Sequence, residues 1–87
     1  MNFLHYELRL KKGDVVEVKI DKQANVQLLD ELSFTNYKKG KKYSSIGGLS
    51  KDLLVNLPSP YKGVWHLVVD LGGHAGTVKA SVLVKKG

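Results

Sequence analysis

An all-β sandwich is the fold class this sequence predicts, on three observations. Apolar residues recur with period two over most of the chain, the signature of strands with one face turned to a core. Eleven valines and thirteen leucines stand against three alanines, a balance that favours strand over helix. Turn-forming clusters of Gly, Pro, Asp and Ser fall every 8–12 residues or so, the spacing of small sandwiches and barrels.

The elements follow in order. Leu4, Tyr6, Leu8 and Leu10 alternate with Phe3, His5, Glu7 and Arg9, and Lys12-Gly13-Asp14 then turns the chain. Val16, Val18 and Ile20 alternate with Glu17 and Lys19, so this pair reads as a hairpin or as a connection between two facing sheets. After Asp21-Lys22-Gln23, a third strand places Ala24, Val26 and Leu28 on one face and Asn25 and Gln27 on the other. Alternation stops over 30–40, DELSFTNYKKG. There Ser33 is the candidate cap of one or two helical turns ending in two lysines, with Gly40 just beyond.

The stretch 41–50, KKYSSIGGLS, reads as an irregular loop. Leu53, Val55 and Leu57 form the next strand, closed by Pro58 and Pro60, because proline donates nothing to a ladder. The strongest strand runs from Val64 to Leu71, with Trp65, Leu67, Val69 and Leu71 on one face. Trp65 is its core anchor, and its indole N–H needs one partner. Gly72-Gly73-His74-Ala75-Gly76 turns into a last strand with Val78, Ala80, Val82 and Val84 on one face. These two strands are expected to pair antiparallel across the glycine-rich turn.

Eighty-seven residues make a single domain, 1–87, with one modest core. A chain of this size buries roughly 60–65% of the surface its unfolded form exposes, which leaves no room for a large enclosed active site. The absence of cysteine removes disulfides, thiolate metal sites and cysteine nucleophiles. No apolar run approaches the roughly 18 residues that span a bilayer. The first dozen residues lack the layout of a signal peptide, so a cytoplasmic location is the expectation.

Several segments together resemble a known family. They are GDVVEV (13–18), KQANVQLLD (22–30), FTNYKKGKK (34–42), IGGL (46–49) and above all GVWHLVVDLGGHAGTVKASVLV (63–84). In this order they resemble the bacterial domain-of-unknown-function family 1883 over nearly the whole chain. The resemblance implies a small jelly-roll-like β-sandwich that occurs alone or joined to TIR domains. It implies an accessory or ligand-sensing role in signalling or defence, and it supplies no catalytic residues. Relatives are expected to carry more aromatic and basic residues before the glycine pair, where this chain has KYSSI (42–46), so the ligand of that loop would differ here.

No catalytic set emerges from the residues themselves. His5, His66 and His74 show none of the spacings of zinc motifs, so no metal or cofactor is expected. His66 and Asp70 share a strand face but sit about 13 Å apart at ~3.3 Å per residue, too far for a catalytic hydrogen bond. Asp70, just before Gly72-Gly73, is better placed to bind turn amides. No serine lies in a nucleophile elbow, and GGHAG is followed by a strand, unlike a phosphate loop.

Charge is the informative feature. Net charge is +6, and the stretch from Lys38 to Lys62 holds six lysines against Asp52 alone, a net +5. Lys38, Lys39, Lys41 and Lys42 crowd between Tyr37 and Tyr43, close to Gly47 and Gly48. Lysines bind anions as point charges, tyrosines stack on sugars or bases, and glycine backbones approach anions closely. A solvated lysine surface is the plain alternative. Thirteen of the fourteen basic residues are lysine, which argues against sequence-specific nucleic-acid binding. The leading expectation is a non-enzymatic module that binds an anionic or glycan ligand, or a protein partner, through Tyr37–Leu49 with help from the neighbours of Trp65 and the GGHAG turn. The alternative is a self-associating structural domain that pairs through Leu29, Leu54, Val68 and Leu83. A histidine-dependent enzyme ranks last.

Overall fold

The computed structural model describes residues 3–87. Seven strands and one helix follow the order β1 (Phe3–Leu10), β2 (Val15–Ile20), β3 (Ala24–Asp30), α1 (Glu31–Lys38), β4 (Ile46–Ser50), β5 (Leu54–Pro58), β6 (Gly63–Asp70) and β7 (Ala80–Lys85). The strands form two antiparallel sheets. One has the order β1-β6-β3-β4 and the other β5-β2-β7. The sequence-derived expectation of an all-β sandwich of about seven strands is thus what the chain forms.

The alternating residues meet between the sheets. Val16, Val18, Ile20, Ala24, Val26, Leu28, Leu57, Trp65, Leu67 and Val69 are buried there, and Leu4, Tyr6, Leu8, Val82 and Val84 pack against them. Fully burying a side chain of this kind contributes about 1.5–3 kcal/mol, so this layer is the main source of stability. Trp65 lies in it, and its Nε1–H donates to the Tyr61 carbonyl at 3.1 Å.

Three expectations change. Only β3 and β4 are both consecutive strands and ladder partners; every other connection crosses between the sheets. β6 and β7 therefore do not pair. The segment between them is too long for a tight hairpin, and Leu71 and Val78, at its two ends, pack on the core and carry it across the end of the sandwich. Second, 46–50 is strand rather than loop. Third, the cap of α1 is Asp30, whose carboxylate accepts from the Ser33 N–H at 2.8 Å. The two lysines end the helix as expected, and Gly40 takes φ +73° just beyond it.

The four-stranded sheet is covered on its outer side as well. α1 seats Phe34 on Leu29 and Val68, with Phe3 and Tyr37 at the margin. Leu29 and Val68 are fully buried there, which removes them from the self-association face expected for them. Leu54 and Leu83 are exposed, on the outer face of the three-stranded sheet. There Lys19 lies opposite Leu54, and Glu17 lies opposite Leu83. Each of the two leucines thus faces a charged residue of β2.

Candidate functional site

The outer face of the four-stranded sheet concentrates the polar and aromatic side chains. β1 contributes Phe3, His5 and Glu7, and β6 contributes His66 and Asp70. The β1–β6 register sets Glu7 opposite His66 and His5 opposite Val68. His5 and His66 are therefore diagonal neighbours, near enough for long side chains to meet across the pair. His5 Nε2 lies 2.8 Å from His66 Nδ1. The other nitrogen of His66 is bonded to the Glu31 carboxylate from the first turn of α1.

Phe34 lies against both imidazoles, with ring centroids 4.3 Å from His5 and 4.2 Å from His66, close to parallel. His66 is 4% exposed. Burial and the neighbouring His66 hold the His5 pKa below its ordinary 6.5, which favours its uncharged form.

The other end of α1 carries the basic segment. Lys38, Lys39, Lys41 and Lys42 are all exposed, at the helix end and in the chain just after it. The N–H groups of Lys39, Gly40 and Lys41 return to carbonyls of Thr35, Asn36 and Tyr37, which binds this segment to the helix. The Lys38 ammonium lies 4.4 Å from the Phe34 ring centroid. Tyr37 donates its hydroxyl to Asp70 at 2.6 Å. Burial first, and then this bond to a carboxylate, push the Tyr37 pKa well above its ordinary value of 10.

Asp70 also accepts from Asn25 Nδ2 at 2.8 Å and from the Gly72 N–H at 2.7 Å. Its expected role as a binder of turn amides holds, and it additionally moors α1 to the end of β6. Past Asp70, the 71–78 segment walls a cleft of about 680 Å³ lined by Phe3, Leu4, Asp70, Leu71, His74 and Val78, among others. Phe3 meets Tyr37 edge to face at 5.3 Å, and Tyr37 meets Tyr43 in the same way at 5.4 Å. A row of three rings thus runs from the cleft to the lysines.

The structure therefore brings Tyr37, Tyr43 and the four lysines into one region. Gly47 and Gly48 lie in edge strand β4, paired with Gln27 and Val26. Gly47 has φ +93°, and a Cβ there would stand 2.5 Å from the Val26 carbonyl oxygen. Close approach of two strands accounts for that glycine without an anion.

His5 and His66, whose spacing matches no zinc motif, touch one another, while His74 lies in the loop between β6 and β7. Glu7, Glu31, Asn25 and Phe34 were not singled out from the sequence. Only the pairing of strands about 60 residues apart brings His5 and Glu7 to His66.

The profile of the family described as domain of unknown function (DUF1883) matches residues 1–87, the whole chain. The chain belongs to that family. Comparison with curated proteins and with solved structures gave no match. Among the described residues, no helix is long and apolar enough to cross a membrane.

Proposed function

We propose that this domain is a non-enzymatic binding module, and that its ligand is a small anionic or sugar-like molecule with an apolar face. The ligand lies in the cleft beside the 71–78 segment and reaches the basic end of α1. The observation that carries this reading is the Tyr37–Asp70 hydrogen bond, which fixes the lysine-bearing helix end beside the loop that walls the cleft. Phe3 and Tyr43 extend an aromatic surface on either side of Tyr37. Aromatic faces accept apolar ring surfaces, and the lysines supply charge without dictating geometry. A cleft of this size is in the range of small-molecule sites.

The resemblance to a family with TIR-linked members supports a sensing or accessory role in bacterial signalling or defence. A binding screen over nucleotides, glycans and anionic lipid vesicles tests the reading. The chain with Lys38, Lys39, Lys41 and Lys42 all changed to Ser is screened beside the unaltered one. A ligand retained by the original and lost by the variant is the expected result. A ligand held equally by both chains places the site away from these lysines and refutes the proposal.

A further inference from the structure

A second cluster, apart from the cleft, lies at the N-terminal end of α1. Glu7 from β1, Glu31 from α1 and His66 from β6 each offer one ligand atom, and these atoms all lie within 4.8 Å of one another. We propose that Glu7, Glu31 and His66 bind one divalent first-row transition ion of the zinc class, with His5 fixing the tautomer of His66.

The donor set suits such an ion. Imidazole nitrogen and carboxylate oxygen both ligate zinc, at about 2.0–2.2 Å. Two ligands at that distance from a tetrahedral ion stand roughly 3–3.5 Å apart. The present spread closes to that figure by turning the carboxylates, which have room to move. Glu31 is 69% exposed, and Glu7 is exposed too. The imidazole is the rigid partner, buried and held in plane by Phe34 at 4.2 Å. Three protein ligands leave a fourth position open to water on the exposed side.

His5 is the feature that distinguishes this cluster from acids that meet by chance on a surface. A metal-bound histidine usually donates its second ring N–H to a neighbour, which fixes ring and tautomer. His66 Nδ1 has that neighbour in His5 Nε2 at 2.8 Å. One tautomer set satisfies both contacts without metal: His66 Nε2–H donates to Glu31, and His5 Nε2–H donates to His66 Nδ1. With metal, His66 Nε2 binds the ion, His66 Nδ1–H donates to His5 Nε2, and His5 carries its proton on Nδ1. The two rings hold two protons in both arrangements, so the exchange is balanced. Charge also favours the ion. The carboxylates total −2, against the roughly +0.5 of the helix N-terminus beside them.

Calorimetric titration of the metal-stripped chain with zinc chloride tests the site, with tetrahedral d–d absorption of Co²⁺ as a second readout. The expected result is one equivalent of zinc per chain. Glu7→Gln and Glu31→Gln alter exposed side chains and retain the fold by circular dichroism; each weakens binding at least tenfold. His5→Phe leaves all three ligands in place and weakens it about 10–100-fold, the range for loss of such an outer partner. Asp52→Asn, a surface acid in another loop, leaves it unchanged. No zinc uptake by the unaltered chain overturns the proposal. Uptake that survives both glutamine variants, or is abolished by His74→Gln alone, overturns it as well.

Discussion

Substituting alanine separately at Gly47 and Gly48 distinguishes a glycine pair that serves a ligand from one that serves the sandwich. At Gly47 the backbone has φ +93°, and an added Cβ would lie 2.5 Å from the Val26 carbonyl oxygen and 2.9 Å from Leu57 Cδ2. The left-handed conformation alone costs an L-residue about 1–2 kcal/mol. Relieving the contact means pushing β4 away from β3, an overpacking term of about 1–3 kcal/mol. Together these come to about 2–5 kcal/mol, against a total stability of roughly 4–13 kcal/mol for a chain of this length. For a domain of this size even the lower figure moves Tm down by about 8–16 °C. At Gly48 an added Cβ meets nothing within 4 Å, and replacing glycine in a strand removes an entropic cost of about 0.5–1 kcal/mol. Thermal and urea unfolding should therefore show a large loss for Gly47→Ala and no loss, or a small gain, for Gly48→Ala. Equal midpoints for the two variants would refute this account of β4.

Tyr37→Phe removes a hydrogen bond to a carboxylate that keeps its bonds from Asn25 and Gly72; urea unfolding should show a loss of about 1–2 kcal/mol. Because the Tyr37 pKa is raised above 10, its stabilisation is complete below that pH and lost above it, so the variant should also show a flatter alkaline limb. Asp30→Ala removes the cap of α1 and should cost about 1 kcal/mol by the same measurement. His5 has a lowered pKa, so the stability it confers is complete above pH 6.5 and declines as pH falls; His5→Phe should flatten that part of the profile. Asp14 and Asp30, held below the ordinary 3.8 chiefly by the backbone N–H groups of Lys11 and Ser33, should add a second decline below about pH 4.

The inner faces of both sheets were legible because alternation reports burial on one side of a strand. Val16, Val18 and Ile20 went inward as the pattern required. The same rule is silent about the outer side of β6, where Val68 is buried as deeply as Leu67 and Val69. A strand covered on both sides loses the alternation that would betray it. β4 escapes the pattern for the opposite reason, since two of its five residues are glycines and supply no alternation at all. Serine favours the cap position, which points to Ser33, yet Asp30 precedes the helix and bonds the Ser33 amide itself. The lysine cluster was readable since it is contiguous in the chain. The His5–His66–Glu31 group was not, because register, rather than spacing, assembles it.

α1 is the element through which the two proposed sites have to be understood together. Its eight residues span about 12 Å at 1.5 Å per residue, with Glu31 at one end and Tyr37 near the other. Phe34 lies between them and stacks on both histidines, and Phe3 touches Phe34, His5 and Tyr37 alike. A tilt of the helix that draws Glu31 towards an ion must be accommodated by these rings and by the Tyr37–Asp70 bond, which borders the cleft. An ion and a cleft ligand that prefer different settings of this helix are therefore coupled. Each then alters the affinity of the other by the same factor, as linkage requires. The coupling vanishes only if the aromatic layer is stiff enough to hold α1 in one position whatever is bound at its ends.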